Sequence, residues 1–333
     1  MLKGLALTPP VIGRIAIGRV VEKNGRRLPE KDDEFTLTSQ VQNKDGWVLH
    51  PADVQLRKDP GAKLRSIPVR LLFDDPDLSL RANYTMFDRM TGRPLCVGDG
   101  DSCKRMTISG MQSLPCPSPV SCALAQDGNC KPYGRLHVRL ETGGAGQTDT
   151  AAIGAMGQGL GDDELGSFVF RTTGFNSIRT LSARLRYLFA VSGGLLAGLP
   201  LELRLRGKST TLSHRTPIYY VDLTLRAGTS LAQVVALARQ EREQQAALGL
   251  DQAALDEAAR QGLALGEFEE SEEEGAGIVE EFYPETRADG DERVERAPEP
   301  ISLRGKLHRR QEAMVSRATV TATGDPGASH ASA

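Results

Sequence analysis

The sequence has no long run of apolar residues. No segment approaches the roughly 18 consecutive apolar residues that a membrane-spanning helix requires. The first residues run directly into Pro9-Pro10, without the apolar stretch of a secretory signal peptide. We therefore predict that the protein does not enter a membrane and that it stays in the cytoplasm.

The sequence also lacks the usual catalytic motifs. Gly207-Lys208-Ser209 resembles the end of a phosphate-binding loop, but Glu202 stands where that motif needs a glycine. His50, His137 and His214 are isolated, and each fits a packed or surface histidine better than a general base. No catalytic residue emerges, and we predict that the protein is not an enzyme.

Cysteine is rare but concentrated, because all five cysteines lie within 35 residues. Zinc is held tetrahedrally by four ligands, and thiolates suit it where short loops can turn back on themselves. An odd number of thiols in a cytoplasmic protein argues against a disulfide framework, although disulfides and free thiols stay open as alternatives. We predict a zinc knob at residues 96–130.

Four of the five thiols are needed as zinc ligands. We assign the ligands to Cys96, Cys116, Cys122 and Cys130, three of them bracketed by turn residues and the first following a β segment. Cys103 is the candidate spare thiol. Four protein ligands leave no coordination position for water, so the ion is expected to be structural.

Acidic residues are unevenly distributed. Between positions 265 and 300 there are fourteen acidic residues and three arginines, and the remainder carries 38 basic and 29 acidic residues, a net charge of +9. A basic body with an acidic appendage suits contact with a polyanion, and the appendage could compete for the same surface. Simple solubilisation explains the same charges equally well.

The hydropathy pattern predicts an α+β protein with a mostly β body, C-terminal helices and a disordered acidic tail. Residues 1–142 form a β-rich module, with strands expected at Ile12–Val21, Ile67–Phe73 and Leu80–Phe87. Eight glycines between 143 and 166 indicate a flexible linker. Residues 167–264 read as an α+β module with a hairpin and long helices, and residues 265–333 as disordered.

Several arginines of the second module lie near aromatic residues, as expected of a surface that contacts phosphates and stacks on bases. The competing interpretation is that the aromatic residues are core and that the arginines solvate one face. The candidate nucleic-acid-binding residues are Arg171, Arg179, Arg184, Arg186 and Phe175.

Five segments resemble the recombination-directionality-factor-like family of phages, plasmids and integrative elements, whose members are often labelled hydrolase or metal-binding protein. The resemblance covers residues 12 to about 225, and its most specific part is the cysteine block followed by Phe170–Ser177. The segments that carry it are Ile12–Ile15, Arg65–Phe73, Leu95–Gly100, the block Cys116-Pro117, Cys122 and Cys130–Leu136, and Phe170–Ser177. Cys103 and the acidic tail have no counterpart in this pattern.

The resemblance implies a noncatalytic accessory protein of mobile-element DNA recombination or replication, one that binds and modulates a site-specific integrase. The expected partners are an integrase or a replication protein, with weak DNA affinity and no membrane. One rival is a single-stranded DNA-binding protein of β-barrel type, favoured if Phe170 and Phe175 are exposed. Another is a metal-dependent hydrolase, favoured if an open coordination position lies beside Asp99 or Asp101.

Overall fold

Buried and less buried side chains alternate along several of the strands. The computed structural model of the chain describes residues 10–23, 26–44, 46–57, 59, 61–141, 166–209, 211 and 217–265, together with 275, 278, 279, 282 and 283. In chain order its strands are β1 (Val11–Lys23), β2 (Arg26–Asn43), β3 (Gly46–Leu49), β4 (Ser66–Leu71), β5 (Leu80–Phe87), β6 (Pro94–Gly98), β7 (Ser102–Thr107), β8 (Gly110–Pro115), β9 (Lys131–Leu140), β10 (Ser167–Thr172), β11 (Leu201–Lys208) and β12 (Ile218–Leu225). The body is therefore mostly β, as predicted.

Helices occupy the short connections and the C-terminal part. They are α1 (Pro51–Leu56), α2 (Pro76–Ser79), α3 (Ser118–Ser121), α4 (Phe175–Ser192), α5 (Leu231–Ala247) and α6 (Gln252–Leu265), with a 3-10 helix at Ala123–Gly128. α4 ends at Gly193, whose φ of 72° is a left-handed conformation that glycine adopts without steric cost. Among the described residues, no helix is both long and apolar enough to span a bilayer.

The described strands form one sheet. Its main path runs β3-β2-β1-β10-β9-β5-β6-β7-β8, and β4, β11 and β12 branch from β9. The pair β1–β10 is parallel, whereas the other strand pairs are antiparallel. β11 and β12 are the predicted hairpin, and β11 also pairs with β4.

One face of this sheet carries the hydrophobic core. Leu136 and Val138 of β9 point to that face, where Leu181 and Leu185 of α4 pack, and all four side chains are fully buried. Successive side chains of a strand point to opposite faces. Arg135 and the other odd-numbered residues of β9 consequently lie on the second face.

The two predicted modules share this sheet. β10 of the second module lies between β1 and β9 of the first, and β4 of the first pairs with β11 of the second. Both modules belong to one compact unit, which spans residues 1–286. Residues 143–165 of the predicted linker lie outside the described residues, and the boundary there does not separate two sheets.

The predicted disordered tail needs a correction at its N-terminal end. Ile278 and Phe282 are fully buried and pack against Phe87 and Tyr133 on the second face of the sheet. The Tyr283 hydroxyl donates hydrogen bonds to the carbonyl oxygens of Phe87 (3.1 Å) and Asn129 (2.9 Å). Ile278, Phe282 and Tyr283 thus dock this part of the chain onto the sheet. We call these three residues the aromatic anchor. Residues 284–333 lie outside the described residues.

Candidate functional site

The cysteine block folds as two successive hairpins. Antiparallel pairing places Cys96 of β6 opposite Arg105 of β7, and Gly98 opposite Cys103. The backbone N–H of Cys116 donates to the Asp101 carbonyl oxygen at 2.8 Å. This hydrogen bond holds the end of β8 beside the turn between β6 and β7. Cys122 lies between α3 and the 3-10 helix, and Cys130 directly precedes β9.

This folding brings the five thiols into one neighbourhood. A Cβ placed on Gly98 would lie 2.8 Å from Cys103 Cβ and 2.9 Å from Cys116 Sγ, so those two side chains meet over a position that only glycine can occupy. Burial raises the pKa of Cys130 to about 12, and the nearby Cys96, Cys116 and Cys122 add to the shift. Burial also raises the pKa of Cys103 to about 11, with further contributions from Cys96 and Cys116.

The Arg105 guanidinium lies against the thiols. Its Nη2 atom is 3.9 Å from both Cys103 Sγ and Cys122 Sγ, and interaction with Cys96 is the main cause that raises the Arg105 pKa. In the described part of the chain, no group of three or more His, Cys, Asp or Glu side chains is arranged to hold an ion. Sulfur donors nevertheless suit zinc chemically, because the thiolate is its preferred ligand. The ligand set Cys96, Cys116, Cys122 and Cys130 stays a prediction.

The acidic residues beside the cysteines serve the turn. The Asp99 carboxylate accepts hydrogen bonds from the backbone N–H groups of Asp101 and Ser102, both at 2.8 Å. These bonds lower the Asp99 pKa. The arrangement is that of a side chain closing a tight turn between β6 and β7.

The predicted nucleic-acid-binding residues separate into two places. α4 exposes Phe175, Arg179, Arg184 and Arg186, whereas Arg171 lies on β10. Phe175 is 59% exposed, but the neighbouring Phe170 is 1% exposed and belongs to the core. Of the two aromatic residues required by the single-stranded DNA hypothesis, only Phe175 can reach a base.

Arg184 is already engaged by an acidic residue. The buried Asp222 carboxylate accepts from Arg184 Nε at 2.9 Å and from Arg206 Nε at 2.6 Å. Burial of Asp222 opposes ionisation, yet the hydrogen bonds from the two arginines outweigh it and lower the Asp222 pKa. Arg184 thus has a structural role, and Arg179 and Arg186 are the freer cations of α4.

We expect Asp222→Asn to lower the free energy of unfolding by about 1–3 kcal/mol at neutral pH, since it removes a charge that two guanidinium groups bind. The Asp222 pKa is depressed in the folded state, so this contribution is present above the ordinary value of 3.8 and is lost as the pH falls through the lower folded value. Urea unfolding between pH 2 and pH 7 measures it. Asp77→Asn is the matched control, because that carboxylate is 83% exposed and lies 3.6 Å from Arg186. Equal losses in both variants would contradict the role of Asp222.

Sequence reasoning did not single out the basic residues on the second face of the sheet. Arg14, Arg81, Arg135 and His137 lie there, and each is less than 10% exposed. The sequence of β9 could have indicated this basic face, because residues 135, 137 and 139 are all basic and alternate with apolar residues.

Comparison with known proteins agrees with the residues that suggested a family. The model of the Gp3-like family, described as recombination directionality factor-like, matches residues 12–226. No curated protein and no solved structure matches the chain. The matched range contains the cysteine block, β10 and α4, and it covers more than half of the chain. The chain therefore belongs to the Gp3-like, recombination directionality factor-like family.

Proposed function

We propose that this protein is a noncatalytic, zinc-binding accessory factor of mobile-element DNA recombination that acts by binding a site-specific integrase. The family match over residues 12–226 is the observation that carries the proposal. The cluster of five thiols supports the zinc. Four thiolates around one ion would tie β6, the end of β8 and the start of β9 together, in hairpins that bury few apolar side chains of their own.

The outer side of α4 supports a protein partner. Phe175, Tyr187, Phe189 and Val191 are 59%, 55%, 40% and 37% exposed, on a helix whose opposite side is buried. Arg186 adds a cation whose side chain is 70% exposed. Exposed aromatic residues with arginine are typical of the central part of protein–protein interfaces. We call this set of five residues the α4 surface.

Replacing Phe175 and Tyr187 by alanine should weaken integrase binding at least about tenfold, because truncation of aromatic residues at an interface centre commonly costs 2 kcal/mol or more. The measurement is biolayer interferometry with the purified integrase of the same mobile element. Val54→Ala is the matched control, since Val54 is 68% exposed on α1 and lies outside the α4 surface. Unchanged integrase affinity in the double variant would contradict the proposed docking surface.

Single-stranded DNA binding is the second candidate, and the exposure of Phe175 near Arg179 favours it. The β-barrel form of that candidate has less support, because β3 and β8 stand at opposite ends of the strand order in the described part of the sheet. Titrating the same Phe175 and Tyr187 variant with a labelled single-stranded oligonucleotide separates the two candidates. Loss of oligonucleotide binding with unchanged integrase binding would favour the second.

A further inference from the structure

The aromatic anchor contacts the two chain neighbours of Cys130. On the N-terminal side, the Tyr283 hydroxyl donates to the Asn129 carbonyl oxygen at 2.9 Å. On the C-terminal side, Lys131 Nζ donates to the Phe282 carbonyl oxygen at 3.0 Å. The anchor therefore fixes the chain immediately before and immediately after a predicted zinc ligand.

The side chain of Asn129 strengthens this contact. Its Oδ1 atom accepts from Arg89 Nη2 at 3.1 Å, and the Arg89 guanidinium lies 4.5 Å from the centre of the Tyr283 ring. Its Nδ2 atom donates to the Gln126 carbonyl oxygen at 3.2 Å, within the 3-10 helix that begins after Cys122. The anchor and Arg89 thus hold the end of the connection that leads from Cys122 to the next cysteine.

The rings of the anchor connect it to a second cysteine. Phe282 packs edge-on against Phe87 of β5, with ring centres 4.9 Å apart, and both side chains are buried. Met86, the preceding residue of β5, is the register partner of Cys96 on β6. Because β5 lies between β9 and β6 in the sheet, the anchor packs on the strand that lies between Cys130 and Cys96.

Gly275, a few residues before the anchor, is also fitted to this part of the sheet. It crosses the turn between β5 and β6 so closely that a Cβ on Gly92 would lie 2.3 Å from the Gly275 Cα atom. Gly92 has a φ of 68°, a left-handed conformation that glycine adopts without steric cost. The close crossing of two glycines and the buried rings of the anchor together define a specific docking site beside the cysteine block.

We propose that the aromatic anchor positions Cys130 for the metal, and that zinc binding and docking of the anchor favour each other. The proposal rests on the zinc-binding role proposed above. Groups that orient a metal ligand without touching the metal commonly change metal affinity by about 10- to 100-fold. Coupling between two binding events is reciprocal, so an ion that needs Cys130 in its docked position also holds the anchor in place. The anchor lies beyond residue 226, where the family match ends, and it gives the chain a further segment that responds to the metal.

Tyr283→Phe tests the effect of the anchor on the metal in the full-length chain. The substitution removes the hydroxyl that reaches Asn129 and keeps the packed ring, so the fold should persist. Competition with a chromogenic zinc chelator should show a zinc affinity at least about tenfold weaker than that of the unchanged chain. Tyr220→Phe is the matched control, because it removes a hydroxyl from a partly buried tyrosine of β12, which pairs with β11. An equal loss of zinc affinity in both variants would overturn the proposal.

Hydrogen exchange tests the reciprocal effect. Removal of zinc from the unchanged chain should raise the exchange rate of the peptide containing residues 275–283 at least about tenfold. The peptide of α5 is the internal reference and should be unaffected, since its buried residues Val234 and Ala238 belong to the main core.

The outcomes separate the coupling from the zinc site. Equal zinc affinity of the Tyr283→Phe variant and the unchanged chain would overturn the coupling and leave the zinc site intact. Exchange of residues 275–283 at the same rate with and without zinc would do the same. Absence of zinc from the unchanged chain would contradict the zinc site itself, and the coupling with it.

Discussion

Purified protein is expected to contain about one zinc ion per chain, and Cys130→Ser to lose it. Burial raises the pKa of the Cys130 thiol to about 12, and Cys130 lies near Cys96, Cys116 and Cys122. Structural zinc contributes roughly 10 kcal/mol or more of apparent binding energy in small domains, so the free energy of unfolding should fall by more than about 3 kcal/mol. Elemental analysis and urea unfolding of reduced protein measure the two effects.

Cys103→Ser is the matched control for this experiment, since it changes a thiol of the same cluster that is not among the predicted ligands. Zinc content should be retained, and the loss of stability should be small. Absence of metal from freshly purified, reduced protein would contradict the zinc prediction. Equal loss of zinc from the Cys103 and Cys130 variants would contradict the choice of ligands.

A chain that ends at Leu265 should be clearly less stable than a chain that ends at Thr286. The shorter chain loses Ile278, Phe282 and Tyr283 and uncovers Phe87 and Tyr133, which the anchor buries. Truncating one buried phenylalanine to alanine costs about 3–5 kcal/mol, and removal of the whole anchor should cost at least as much. Urea unfolding followed by far-ultraviolet circular dichroism gives the comparison.

The longer truncated chain serves as the reference for this measurement, because it keeps Ile278, Phe282 and Tyr283. Its free energy of unfolding should lie within about 1 kcal/mol of that of the full chain, as for changes away from a core. Equal stability of the two truncated chains would show that the anchor contributes nothing and that everything after Leu265 is dispensable, as the composition alone suggests.

Local sequence patterns located β1, β4 and β5 to within about two residues at each end, because runs of apolar or alternating residues mark strands with a buried face. The concentration of five cysteines in 35 residues predicted a zinc site, which stays a prediction; the structure places Cys96, Cys116 and Cys122 near enough to Cys130 to contribute to its raised pKa. The sequence did not predict the strands β6, β7 and β8, because apolar and polar residues hardly alternate along them and they bury little apolar surface.

Long-range pairing accounts for most of what the sequence did not reveal. The insertion of β10 between β1 and β9 joins residues that are far apart along the chain, and no local pattern specifies such a partner. Composition likewise favoured disorder after residue 265, because the glutamates outnumber the few apolar residues that dock. The i, i+4 spacing of Ile278 and Phe282 was the available signal for the anchor.

The central position of β10 also constrains how the protein is made. When a ribosome has released the first 142 residues, β1 and β9 are both complete. The strand β10, which pairs with one edge of each, has not yet been synthesised. Each nascent chain then presents two open strand edges, and such edges recruit other chains. Because non-local pairing is slow to form, we expect folding to be largely post-translational. A fragment containing only residues 1–142 should aggregate, and co-expression of residues 166–265 should rescue its solubility.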